Sequence, residues 1–174
     1  GYGGPTHTPH HSIRAFLTDP TTGALTDTGV SDCGAQSQVP QKLWYDPATG
    51  EGFVGYSRPD GRFTVRPLTT ATGLTPLVGD FNGDCRADIW FDGPGSQRDR
   101  QWQGRRDRTF RRVVGDQPGD YEHRVVGDFD GDRVSDILWY GPGAAPDRLW
   151  RGTRYGFVPR PLSMGGDYEP FFFE

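Results

Sequence analysis

The sequence predicts an all-β protein of many short strands, and three observations support this fold class. The 174 residues include 26 Gly and 15 Pro, which punctuate turns and disfavour long helices. Aromatic residues make up 13% of the chain although all hydrophobic residues make up only 33%, so that aromatic side chains are available to build the core. A segment of 48 residues also recurs along the chain. The length suits a single domain.

The recurring segment is clearest in the second half of the chain. Val78-Gly79-Asp80 matches Val126-Gly127-Asp128, and Trp102 matches Trp150. A weaker copy precedes them, in which Phe63 corresponds to Phe110. The predicted organisation is an N-terminal tail with a hairpin or partial blade, followed by three copies of the repeat, at residues 1–39, 40–74, 75–122 and 123–174.

Each copy contains apolar or alternating runs separated by turn signals, as short strands do. The two later copies predict strands near residues 75–79, 88–92, 100–104, 110–114, 123–127, 136–140, 147–151 and 157–162. The weaker copy predicts strands near 43–46, 52–57 and 62–67, and the segment from Ile13 predicts a hairpin. Four short strands in 45–50 residues form the unit of a β-propeller. We therefore expect β-propeller blades of four antiparallel strands, about three and a half in this chain.

Two acidic loops follow the first strand of the two later copies. Each places oxygen-bearing side chains at positions one, three, five and nine, namely Asp80, Asn82, Asp84 and Asp88, then Asp128, Asp130, Asp132 and Asp136. The carbonyls of Arg86 and Val134, at position seven, are candidate further ligands. Ca²⁺ takes six to eight such oxygens in irregular geometry. Two carboxylates about 4 Å apart repel by roughly 1 kcal/mol even in water, so we expect a cation in each loop. The alternative is an acidic turn without an ion.

The loops are not EF-hands, which need Gly at position six and Glu at position twelve. Position six is Cys85 in the first loop and Arg133 in the second, and position twelve is Phe91 or Trp139. The flanking residues also predict strands instead of helices.

The two loops resemble the FG-GAP/VCBS repeats of integrin α-subunit propellers and many secreted bacterial proteins, and the resemblance covers about residues 40–174. It implies a secreted, calcium-stabilised β-propeller whose ion lies between the first two strands of a blade. The eight side chains at positions one, three, five and nine would be its ligands. That family commonly has Gly at position six, where this chain has Cys85 and Arg133. In that family the ion usually rigidifies the loop, so we expect a structural role for Ca²⁺ at two sites.

The two cysteines, Cys33 and Cys85, occupy corresponding positions of successive copies. We expect a disulfide between them because the repeat type is mostly extracytoplasmic. Closing a loop of about 50 residues would stabilise the fold by roughly 3–4 kcal/mol. The alternative is two free buried thiols.

Aromatic residues are the candidate ligand contacts. Trp102 and Trp150 could stack on sugar rings or pack in the core, and the sequence does not decide between these roles. Trp90 and Trp139 are expected in the core between blades. His7, His10 and His11 could bind a transition metal, although incidental histidines in a tail are the preferred interpretation.

A basic cluster contrasts with the formal net charge of −4. It contains Arg98, Arg100, Arg105, Arg106, Arg108, Arg111 and Arg112. A solvated hairpin is the preferred interpretation over a nucleic-acid site, because the acidic loops nearby would repel phosphate. No apolar run is long enough to predict a membrane-spanning helix.

The leading functional hypothesis is a secreted, calcium-stabilised binding module that recognises carbohydrate, as a lectin does. One alternative is a polysaccharide lyase or hydrolase on a propeller scaffold, although the sequence offers no catalytic constellation. Another is a protein-interaction module. Closed propellers usually need at least four blades, so we expect a second copy, or the remainder of a longer chain, to complete the ring.

Overall fold

The computed structural model describes residues 16–18, 25–27, 41–58, 60–115, 121, 123–141, 143 and 146–168. Within these ranges the protein contains thirteen strands in three sheets and no helix. The predicted all-β class is therefore confirmed. The described part of the chain has no helix of the length and apolarity that a membrane span requires.

Sheet 1 combines the N-terminal hairpin with the weakest copy of the repeat. Its strands are β1 (Phe16–Thr18), β2 (Leu25–Asp27), β3 (Gln41–Asp46), β4 (Glu51–Ser57) and β5 (Phe63–Thr69). They lie in the order β2-β1-β3-β4-β5. The predicted hairpin is present as the antiparallel pair β1–β2. The parallel pairing of β1 with β3 was not predicted, and it makes the hairpin part of this sheet.

Sheets 2 and 3 each hold four antiparallel strands in chain order. Sheet 2 consists of β6 (Thr75–Gly79), β7 (Asp88–Asp92), β8 (Arg100–Gly104) and β9 (Phe110–Val114). Sheet 3 consists of β10 (His123–Gly127), β11 (Asp136–Tyr140), β12 (Asp147–Arg151) and β13 (Val158–Leu162). Their registers correspond: Ile89 lies opposite Trp102 as Ile137 lies opposite Trp150. All eight strands lie where the sequence predicts them, except that β13 begins one residue later.

The three sheets stack face to face around two hydrophobic cores. The core between sheets 1 and 2 contains Leu43, Val54, Tyr56, Leu68, Leu74, Val78, Ile89, Phe91 and Trp102. The core between sheets 2 and 3 contains Leu77, Phe81, Trp90, Tyr121, Val126, Ile137 and Trp139, with Trp150 and Phe157 packed against it. The first strands of the two later sheets also lie close together, since β6 contacts β10.

The central position of sheet 2 explains the composition of β7. All five of its residues are buried. Successive side chains of a strand point to opposite faces, so Ile89 and Phe91 enter the first core while Trp90 enters the second. A strand covered on both faces needs a continuous apolar run, which Ile89-Trp90-Phe91 supplies.

Candidate functional site: two acidic loops

The first acidic loop connects β6 to β7 and is organised around Asp80. The Asp80 carboxylate accepts hydrogen bonds from the backbone N–H of Asp84 at 3.1 Å and of Cys85 at 2.7 Å. The amide oxygen of Asn82 accepts a second bond from the N–H of Asp84 at 2.9 Å. These short-range bonds curl the backbone around the carboxylate, as Asx-type turns do.

The second loop connects β10 to β11 and repeats this pattern. The Asp128 carboxylate accepts from the backbone N–H of Asp132 at 3.1 Å and of Arg133 at 2.9 Å. Asp130 Oδ1 accepts from the N–H of Asp132 at 3.2 Å. The side chains at positions one and three therefore hold both loops in the same way.

Positions four and six of both loops adopt left-handed backbone conformations. Gly83 and Gly131, at position four, have φ of 68° and 79°. Cys85 and Arg133, at position six, have φ of 66° and 69°. A left-handed conformation costs a residue with a Cβ roughly 1–2 kcal/mol. Position six therefore favours glycine on physical grounds, and this chain accepts a strained backbone there.

The carboxylates at position nine close the loops from the start of the second strand. Asp88 Oδ1 accepts from the N–H of Gly104 at 2.8 Å, and Asp136 Oδ1 accepts from the N–H of Gly152 at 2.8 Å. Any Cβ at these glycines would collide with a backbone carbonyl. The second oxygens differ in degree. Asp136 Oδ2 accepts from the N–H of Phe129 at 2.9 Å, whereas the equivalent Phe81 N–H lies near the Asp88 carboxylate without forming a hydrogen bond of normal geometry to Oδ2.

Burial makes the ionised form of the loop carboxylates unfavourable unless a positive charge lies nearby. Asp88 and Asp136 are fully buried and Asp80 is 5% exposed. Loss of hydration raises the pKa of Asp88 to about 8, with a further contribution from the charges of Asp80 and Asp84. Burial is also the main cause that raises the pKa of Asp80 and of Asp136.

The second loop brings three of its predicted ligands together. Oxygens of Asp128, Asp130 and Asp136 all lie within 4.8 Å of one another, which is close enough for a shared cation. Asp132 is not in this group, and its carboxylate lies 3.9 Å from the Arg151 guanidinium. Arg151 also forms an ion pair with Asp130.

The first loop is arranged differently. Among the described residues, no three acidic, histidine or cysteine side chains converge there, although the Asn82 oxygen is an additional potential donor. The Arg86 guanidinium lies 2.8 Å from Asp84 Oδ2, so it engages one predicted ligand directly. The carbonyls of Arg86 and Val134 have no described contact that assigns them a role, and their participation stays a prediction.

The two loops lie side by side, and this contact explains why the first is more buried. Ser135 from the second loop is hydrogen-bonded to Asp80 of the first, and a Cβ at Gly83 would lie 3.0 Å from the Val134 side chain. Phe81 is fully buried in the core between sheets 2 and 3, whereas its counterpart Phe129 is 43% exposed.

The predicted sugar contacts lie in the cores. Trp102 is 3% exposed and packs between sheets 1 and 2. Trp150 is half-buried, with its ring centroid 5.5 Å from Trp90 and 5.7 Å from Trp139. These positions favour the core-packing alternative, and a contact of either residue with a sugar stays a prediction. The reason for the core packing is that both residues face the neighbouring sheet, which the sequence alone could not establish.

Two buried carboxylates that fix turns were not predicted from the sequence. Asp99 Oδ1 accepts from the N–H of Gly93 at 2.8 Å, and Asp147 Oδ1 accepts from the N–H of Gly141 at 3.1 Å. Both fix the turn between the second and third strands of their sheets. Their signal was present as an aspartate six residues after the matched glycine in each copy.

Several predictions concern residues outside the described ranges. They include the disulfide between Cys33 and Cys85, because Cys33 lies outside, and the possible metal ligands His7, His10 and His11. These stay predictions.

No known protein family, curated protein or solved structure matches this chain. The resemblance of the two loops to FG-GAP/VCBS repeats therefore stays a prediction, carried by the residues of the loops.

Proposed function

We propose that this chain is a secreted, calcium-stabilised β-propeller module that acts by binding. The observation that carries the proposal is the duplicated loop. Two nine-residue segments share their oxygen-bearing side chains, their hydrogen-bond pattern and their left-handed positions, and they lie against each other. The side chains at all four positions also accept backbone hydrogen bonds in each loop. What favours an ion over a plain acidic turn is the convergence of three carboxylates in the second loop.

Calcium fits the donor set of both loops. Carboxylate and amide oxygens are the ligands that this hard cation prefers. The buried Asp88 Oδ2 makes no hydrogen bond of normal geometry, and the nearby Phe81 N–H offsets its burial only in part. A buried carboxylate oxygen of this kind is costly unless a cation or a well-placed donor satisfies it. The side chains that would hold the ions are Asp80, Asn82, Asp84 and Asp88 in one loop, and Asp128, Asp130, Asp132 and Asp136 in the other.

Two arginines compete with calcium for these oxygens. Arg86 engages Asp84, and Arg151 engages Asp130 and Asp132. Both pairs are only partly buried, so their net contribution to stability is small. A divalent ion can therefore displace them at modest cost, and when bound it would supply the charge that holds each loop closed.

The propeller arrangement is supported by the stacking of the sheets. Successive sheets pack face to face and β6 lies beside β10, as the inner strands of neighbouring blades do. The two terminal sheets leave large apolar side chains exposed, with Phe53, Phe63 and Val65 on sheet 1 and Val158 and Leu162 on sheet 3. We propose that a second copy, or further repeats of a longer chain, covers these faces and completes the ring.

The proposed role is binding of a glycan or of a secreted protein. His123, the single histidine in the described ranges, stacks on the Tyr140 ring with centroids 5.7 Å apart, which is a packing role. The alternative of a polysaccharide-degrading enzyme is favoured by no specific observation.

Secretion accords with the predicted disulfide, and Cys85 is not a free thiol.

Calcium dependence is the decisive test. Thermal unfolding should be measured in Ca²⁺, in EDTA and in Mg²⁺, with the ion stoichiometry determined by calorimetric titration. We expect two Ca²⁺ ions per chain and a higher melting temperature in Ca²⁺ than in EDTA. A ligand at one hundred times its dissociation constant stabilises the native state by about 2.7 kcal/mol. Mg²⁺ should stabilise less, because it requires a near-octahedral site.

Matched variants localise the effect. Asp136→Asn should remove one of the two ions, while Glu51→Gln, an exposed position on sheet 1, should retain both. Equal melting temperatures in Ca²⁺ and EDTA would contradict the proposal.

For the assembly, light scattering after gel filtration should give twice the chain mass of 19.3 kDa. A strict monomer would refute completion by a second copy.

A further inference from the structure

A pocket of about 450 Å³ lies between sheets 1 and 2. Its walls include three arginines of the basic cluster, Arg98, Arg100 and Arg112, together with Trp102 and Thr70. Volumes of this size are typical of small-molecule sites. The sequence predicted a solvated hairpin for this cluster, whereas the fold places three of its arginines along one concave surface.

The pocket has an excess of positive charge. Its single acidic wall residue is Asp99, which is 1% exposed and whose Oδ1 accepts a hydrogen bond from the N–H of Gly93. Within the described part of the chain, no ion pair joins Arg98, Arg100 or Arg112 to a carboxylate. Like charges brought together at a half-buried surface repel each other, so this arrangement favours a bound anion.

Two polar groups of the pocket residues lack partners. Arg100 Nη1 and Thr70 Oγ1 are both buried without a hydrogen bond. Sheet 3 provides an internal comparison, because Arg148 occupies the equivalent position and donates from Nε to the Tyr121 hydroxyl at 3.0 Å. The guanidinium of Arg100 has no such acceptor among the described residues. A buried donor normally finds a partner, and a small turn of the Arg100 side chain into the pocket would bring its guanidinium to a bound anion.

The third guanidinium is held in place by an aromatic ring. Arg112 lies opposite Trp102 across β8 and β9, and its guanidinium carbon is 4.4 Å from the Trp102 ring centroid. This cation–π contact restrains the side chain. Pre-ordered donors lose less conformational entropy on binding.

We propose that this pocket binds a small organic anion through an oxyanion group, that is, a carboxylate, sulfate or phosphate. Arginine suits this chemistry because its planar donors match two oxygens of such a group. The volume leaves room for a body the size of a sugar ring. Arg100 pairs with Phe91, three positions along β7 from Asp88, so it lies about 10 Å from the acidic loop. The inference therefore goes beyond the proposed function and does not depend on calcium chemistry.

Isothermal titration tests the proposal on the full chain in calcium-containing buffer of low ionic strength. The probes are sulfate, glucuronate and glucose 6-phosphate, with glucose as the uncharged comparison. We expect one saturable site for the charged probes and none for glucose. The strongest probe identifies which oxyanion the pocket prefers. Absence of saturable binding by all three charged probes would overturn the proposal.

Variants decide whether the pocket is the site. Arg100→Gln and Arg112→Gln should each weaken binding by about tenfold or more, as expected for lost charged hydrogen bonds. Arg111→Gln is the matched control, since Arg111 is exposed and adjacent on β9 but does not line the pocket. If the variant at the half-buried Arg100 fails to fold, Arg98→Gln, at an exposed position of the pocket wall, tests the site in its place. Equal weakening by Arg111→Gln would show binding to general surface charge and refute the site. Persistent binding without any calcium effect on stability would sustain this inference while the calcium proposal failed.

Discussion

Asp80 and Ser135 exchange two hydrogen bonds across the boundary between sheets 2 and 3. The Asp80 N–H donates to Ser135 Oγ at 3.0 Å, and the Ser135 N–H donates to the Asp80 carbonyl at 2.8 Å. Both residues are 5% exposed. The first residue of one acidic loop is thus joined to the residue preceding the closing carboxylate of the other, so the two loops are mechanically coupled.

Ser135→Ala should lower the free energy of unfolding by about 1–2 kcal/mol, because it leaves the buried N–H of Asp80 without its acceptor. Chemical denaturation measures this change. Ser96→Ala, at an exposed turn position, is the matched control and should be close to neutral. An equal effect of both substitutions would show that the bond to Asp80 contributes nothing.

Arg133→Gly should raise the free energy of unfolding by up to about 1 kcal/mol. Glycine removes the cost of the left-handed backbone, roughly 1–2 kcal/mol. Part of this gain in stability is lost, because glycine also increases the conformational freedom of the unfolded chain. Arg133→Ala keeps the Cβ at φ of 69° and serves as the comparison. The strain interpretation fails if the two variants have the same melting temperature.

Trp102→Ala should destabilise the protein by about 3–5 kcal/mol, as large truncations in cores do. Trp44→Ala is the comparison, because Trp44 is half-buried on the outer face of sheet 1, where its ring stacks on Phe53 with centroids 4.7 Å apart. The Trp44→Ala substitution should lower the free energy of unfolding by clearly less than Trp102→Ala does. A Trp102 variant as stable as the Trp44 variant would remove the evidence that Trp102 is a core residue.

Asn82→Asp should increase the calcium affinity of the first loop by about tenfold, since it adds a negative charge beside Asp80 and Asp84. In EDTA the same variant should have a lower melting temperature than the unsubstituted protein, because no cation then compensates the added charge. Asp130→Asn is the reciprocal change in the second loop and should lower affinity there. Competition with a fluorescent chelator measures both. Affinity changes in the opposite directions would exclude a ligand role for position three.

Much of the fold could be predicted from local sequence. The strands of sheets 2 and 3 are marked by apolar runs between glycine-rich turns, as in Ile89-Trp90-Phe91 ahead of Gly93. The acidic loops were equally visible, since their side chains stand at fixed spacing within nine residues.

What could not be predicted depends on contacts between distant residues. Trp102 and Trp150 looked equally suited to a ligand or to a core, and the choice is made by which sheet covers their face. The parallel pairing of β1 with β3 joins segments more than twenty residues apart. The pocket could not be foreseen either, because Thr70 and Arg112 meet only when sheets 1 and 2 stack.

The carboxylates of Asp88 and Asp136 each accept a hydrogen bond from the amide of a glycine at the end of a third strand, Gly104 as the last residue of β8 and Gly152 directly after β12. Each of these N–H groups therefore reports directly on the closing carboxylate of its own loop. In a nitrogen-15 NMR spectrum the chemical shift of each glycine amide would change when its loop binds an ion. The exchange of that amide hydrogen with deuterium would also become slower. Two nearly identical loops can thus be told apart by separate signals in the native protein, and any coupling between them would appear as a response of both signals to one ion.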